Sequence, residues 1–207
     1  MMDLGSRDVE ELLAARHGIY AERRVAFRGR LEHLRKLGCP VGVQTGKGKP
    51  AVFGWSHLIE LAVALDLVNL GLTPDHAATV ITNHHVFIRT VFSALGTDGL
   101  KSSELLEAAQ CEKWPFEKTF FLFVDVGSLT GLRKDGSKQA PVIAAYDAAE
   151  LVQTLRIAPA GSHAHVLLDL GTIVANLIYL VSDGSKDDIA SVAAQYARWS
   201  DENVVNP

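Results

Sequence analysis

The sequence predicts a mainly α chain with an α+β C-terminal part: an N-terminal winged helix-turn-helix followed by a small mixed α+β domain. Three observations lead there. Helical apolar periodicity, punctuated by glycines, runs through the first 95 residues; Val41 to Phe53 reads as a lysine-tipped β-hairpin leading into a helix; and beyond Gly99 short strand-like apolar runs alternate with helical ones.

Asp8 to Arg16 is a short helix, with acids in its first turn and Val9, Leu12 and Leu13 on one side, broken by His17-Gly18. A second helix runs from Ala21 to Leu37, with Phe27, Leu31 and Leu34 as its buried stripe and Gly38 as its stop. Helix, glycine turn, helix is a helix-turn-helix skeleton. Val41 to Thr45 and Ala51 to Phe53 are the hairpin strands, joined by Gly46-Lys47-Gly48-Lys49, where glycine allows the positive φ of a tight reversal. A third helix spans Trp55 to Leu70 and ends at Gly71. Thr73-Pro74-Asp75 caps and starts a fourth, which continues to about Leu95.

Gly96 to Gly99 marks a boundary, giving domains over residues 1–95 and 100–207. Beyond it the pattern predicts a short helix (Ser103 to Ala109), strands at Lys118 to Val126, Val142 to Tyr146 and His163 to Leu168, and helices at Ala148 to Leu155, Leu170 to Val181 and Asp187 to Trp199. A chain of 207 residues, 48% hydrophobic and 21% charged, has the composition of a globular protein with a substantial core. Cys39 and Cys111 show no metal or redox spacing, which fits a reducing compartment. Acids stand where an export signal needs a basic start, and the longest apolar segment, Leu170 to Val181, is too short to span a bilayer. A cytoplasmic protein without membrane attachment is expected.

Charge is unevenly placed. From Arg16 to Lys49 there are nine Lys+Arg against two acids, Glu22 and Glu32, a local net of +7 in a chain whose total is -4. Residues 1–95 carry net +2 and residues 96–207 net -6, so a polyanion would approach the front. On the second helix Arg24, Arg28 and Arg35 fall on one row and Arg23 and Arg30 on another, flanking the apolar stripe. A helix-turn-helix presents the N-terminal end of its second helix to the major groove, so Arg23, Arg24 and Arg28 are expected at base edges, with Arg30 beside them. Lys47 and Lys49 at the wing tip would meet phosphates or the adjacent minor groove, and Gln44 and Thr45 would serve as neutral donors.

Phe53 at the end of the wing, Leu58 and Leu61 in the helix after it, and the junction Gly71-Leu72-Thr73 together resemble the MerR-type winged helix-turn-helix superfamily over roughly residues 8 to 80. Two positions depart from that pattern: Gly54 stands where a Ser/Thr cap is usual, and His57 replaces an acid. The resemblance implies double-stranded DNA as partner and a homodimer that pairs two half-sites.

Other constellations carry less. Trp114, Phe116, Phe120, Phe121 and Phe123 read as core or interface, with an effector pocket as the alternative. His163 and His165 share a strand face at a spacing metals use, but no Asp, Glu or Cys partner lies near in sequence. His84-His85 diverge on a helix. The run GVQTGKG lacks the spacing of a phosphate loop, and no hydrolase or dinucleotide motif occurs. Asp125 and Asp169 at strand ends read as turn or cap residues. The expectation is a sequence-specific DNA-binding transcriptional regulator, not an enzyme and without a cofactor, whose C-terminal domain dimerises or takes a small-molecule or protein effector. The alternative is a protein-interaction module that uses the winged fold without DNA.

Overall fold

The structure is a computed structural model that describes residues 2–43, 50–97, 107–110, 118–125, 143–157, 165–184 and 186–203. Helix α1 (Ser6–Arg16) is opened by Asp8, whose carboxylate accepts the Gly5 N–H at 2.8 Å. A 3-10 turn (Ala21–Arg23) leads into α2 (Arg24–Lys36), which buries Phe27, Leu31 and Leu34 as predicted. Gly38 ends it at φ +85°, a conformation that L side chains resist.

Helix α3 (Trp55–Asn69) is buried nearly all round, which its composition requires: only a central helix covered on every side tolerates so few polar positions. Thr73 Oγ1 accepts the His76 N–H at 3.3 Å at the start of α4 (Pro74–Thr97). That helix is not continuous as predicted; His84, at φ -123° and ψ 15°, kinks it.

Strands β1 (Phe120–Asp125), β2 (Ile143–Asp147) and β3 (His165–Asp169) form an antiparallel sheet in the order β2-β1-β3. Leu122, Val124 and Leu168 turn inward from it. Helix α5 (Ala148–Ile157) follows β2 through a reciprocal cap: the Glu150 N–H donates to Asp147 Oδ1 at 2.8 Å and the Asp147 N–H to Glu150 Oε2 at 3.4 Å. Asp169 joins β3 to α6 (Leu170–Val181), accepting from the Thr172 N–H at 3.1 Å and from the Thr119 hydroxyl at 2.6 Å. The last helix, α7 (Lys186–Asn203), packs along α4. Residues 107–110 are helical.

One buried cluster runs through both halves of the chain, from Met2 and Val9 through the α3 residues to Ile178 and Tyr196. Packing therefore crosses the boundary drawn at Gly96 to Gly99. Arg16, at the end of α1, donates to Asp66 of α3 at 2.5 Å and to Asn176 of α6 at 3.0 Å. Tyr196 donates its hydroxyl to the Phe92 carbonyl at 2.5 Å.

The predicted hairpin is corrected in part. Phe53 pairs with Leu4 near the N-terminus, by N–H to carbonyl bonds of 2.9 and 3.0 Å, and among the described residues 41–43 and 51–53 do not pair. The reason is competition: the N–H and the carbonyl of Val41 are both held by side chains of α3 and α4. Gln44, Thr45, Lys47 and Lys49 lie outside the described residues, as do Cys111, Trp114, Phe116 and His163.

Candidate nucleic-acid interface

The two arginine rows of α2 have different surroundings. Arg28 forks onto Glu10 of α1, Nε to Oε2 at 2.7 Å and Nη2 to Oε1 at 3.1 Å, a charge-assisted pair that raises the guanidinium's pKa still further. Arg35, on the same row, lies over the Phe53 ring with its guanidinium carbon 5.7 Å from the centroid. The Arg24/Arg28/Arg35 row thus borders α1 and Phe53, and Arg28, expected at base edges, has a carboxylate partner within the fold.

Arg23 and Arg30 are exposed and Arg24 is half-buried; among the described residues none of the three forms an ion pair, and neither does the exposed Lys36. By contrast Arg7, Arg16, Arg28 and Arg89 each hold a carboxylate. Away from the buried stripe, α2 presents Val25, 79% exposed, together with Ala26 and Gly29. A Cβ built on Gly29 would meet nothing within 4 Å. This is a low, open helix surface with cations at its margin, and another surface can approach its backbone closely.

Val41 is held by a three-part clamp. Glu60, fully buried on α3, accepts the Val41 N–H at 2.7 Å and Arg89 Nε at 2.7 Å, while Arg89 Nη2 donates to the Val41 carbonyl at 3.0 Å. Burial raises the Glu60 carboxyl above its ordinary pKa, opposed by the Val41 N–H and the Arg89 charge. Cys39, sealed nearby, has its thiol pushed up to about 12 by burial and then by the Glu60 charge, so it is inert as a nucleophile. Neither Glu60 nor Arg89 stands out in the sequence by any motif. The one available signal is a lone acid within the apolar run Leu58 to Leu65, a position that demands a buried partner.

The remaining candidates fall into structural roles. His165 stacks against Phe123 with ring centroids 4.1 Å apart, and Phe123 meets Tyr146 edge-on at 5.9 Å. Asp169 is a helix cap. His85 Nδ1 lies 3.0 Å from the Thr82 carbonyl. Among the described residues no group of three His, Cys, Asp or Glu side chains could hold a metal, and no helix is long and apolar enough to cross a membrane. No known protein family matches the chain, and neither does any curated protein or solved structure.

Proposed function

We propose that the chain is a sequence-specific DNA-binding transcriptional regulator, MerR-like in arrangement, with α2 in the major groove and the lysine-bearing segment 44–49 on the adjacent backbone. The observation that carries this reading is the set of cations on and beside α2, Arg23, Arg24, Arg30 and Lys36, that have no carboxylate among the described residues. Free cations on one helix are what phosphates and guanine edges engage. The small surface of Val25, Ala26 and Gly29 lets the helix sit deep in a groove, where an apolar side chain reads a thymine methyl. Arg28, held by Glu10, supports α2 against α1. The Glu60–Arg89 clamp holds Val41, which precedes the lysine-bearing segment in the sequence. Two copies bound to paired half-sites are the expected unit, with the acidic back half turned from the DNA.

The test is binding of the full-length protein to fragments of its own promoter region, read by anisotropy across a salt series. Each neutralised phosphate contributes about -0.9 to the log-log slope, so replacing both Arg30 and Lys36, which lie away from the base-reading end of α2, by Ala should flatten the slope by roughly two units. Arg28→Ala should change the slope less than either single replacement. Absence of any shift at low salt, or an unaltered slope in the double variant, refutes the reading.

A further inference from the structure

A cavity of about 320 Å³ opens where Met2 before α1, the start of α3, the clamp residue Arg89 and the end of α7 converge. It lies at the small end of the ~300–1,000 Å³ typical of ligand cavities. Its apolar surface comes from Trp55, Trp199 and Met2. Both indoles are braced by Tyr196, at centroid distances of 5.1 and 5.5 Å, and Trp199 Nε1 is tied to Ser56 Oγ at 3.0 Å. The walls are therefore set before any ligand arrives.

The polar lining is dominated by donors. Arg198 is exposed, forms no ion pair among the described residues, and engages only the Ala194 carbonyl, through Nε at 3.4 Å. His57 Nδ1 accepts the Gly54 N–H at 3.2 Å, so the ring proton sits on Nε2. Burial and then the Arg89 charge hold this imidazole below its ordinary pKa, making it a neutral donor at pH 7. Gln195 adds an amide, and Glu202 is the one carboxylate of the lining. Trp55 is 3% exposed, and its indole N–H has no acceptor among the described residues. The first turn of α3 lies at the same place, with the partial positive charge of a helix start.

We propose that this cavity binds a small organic acid, a carboxylate carried on a flat apolar body, with the charge met by Arg198 and the start of α3 and the body lying against Trp199 and Met2. The flat indole walls favour a planar body, and the excess of donors over acceptors favours an anion. The site does not depend on the DNA-binding reading and is tested without DNA.

The experiment titrates the full-length protein with benzoate and phenylacetate, and with uncharged benzamide, at constant ionic strength. The readout is the indole N–H resonances of Trp55 and Trp199, assigned through Trp→Phe variants. Saturable shifts of both resonances by at least one of the acids are expected, with benzamide at least about tenfold weaker, as a charge-assisted contact requires. Arg198→Gln, a surface change that should leave the melting temperature in place, should weaken the acid by about tenfold. No saturable shift with either acid up to about 10 mM, weaker than any specific site of this size warrants, overturns the proposal. So does equal affinity for benzamide, or unchanged affinity in Arg198→Gln.

Discussion

Glu60 shows how a single buried charge is made tolerable and what it then controls. The carboxylate is withdrawn from water completely, which is tolerated only because Arg89 and the Val41 N–H satisfy both of its oxygens. The pair in turn holds the backbone N–H and carbonyl of Val41. Removing one member is far worse than removing both: Arg89→Ala leaves a buried, uncompensated anion and should cost on the order of 3 kcal/mol, whereas Glu60→Leu with Arg89→Met should cost much less. Urea denaturation of the two variants checks this ordering. A smaller loss for the single replacement would mean that solvent already reaches Glu60.

Among the elements, those with local causes were legible and those with distant causes were not. Helix α6 falls on the predicted span because Asp169 caps it and its apolar run has helical length. The ends of α2 and α3 follow from Gly38 and Gly71, both at positive φ. The pairing of Phe53 with Leu4 was hidden because its partner lies 49 positions away, and a three-residue strand fits any free edge. The kink at His84 leaves no Pro or Gly in the sequence to announce it. On α2, the two-row geometry of the arginines was readable from helical spacing, but which row borders α1 depended on Glu10 of another element. The α4–α7 contact is likewise invisible in sequence, although Gly96 makes it possible: a Cβ there would lie 2.7 Å from Ser200 Cβ. Gly96→Val should force the helices apart and destabilise the chain by about 1–3 kcal/mol, as overpacking does. Scanning calorimetry would register it as a lower melting temperature, and an unchanged value would show that α7 docks loosely.

At the scale of the whole molecule, the shared core makes a charge placed at one junction felt throughout. His17 sits beside the Arg16–Asp66 pair where α1 meets α3 and α6, with Nε2 3.8 Å from Asp66 Oδ1. Burial is the largest influence on it and lowers its pKa; the Arg16 charge adds to the lowering, and Asp66 only partly opposes it. The folded state therefore binds this proton less readily than the unfolded chain, whose imidazole titrates near ~6.5. Stability that is fully present above that value must decline as pH falls from about 6.5 toward the lower folded pKa, because the unfolded state takes up the proton first. His57 is shifted in the same direction by burial and Arg89, so it adds a slope of the same sign. Glu60, with a raised pKa, contributes with the opposite sign, so comparison of variants separates it. Urea midpoints measured from pH 7.5 to about 5.5 should fall, and His17→Gln should flatten the fall without abolishing it. Because α1, α3 and α6 belong to one buried cluster, the unfolding transition should remain single throughout the series. A second transition emerging at low pH would show that the front and back of the chain separate at this junction.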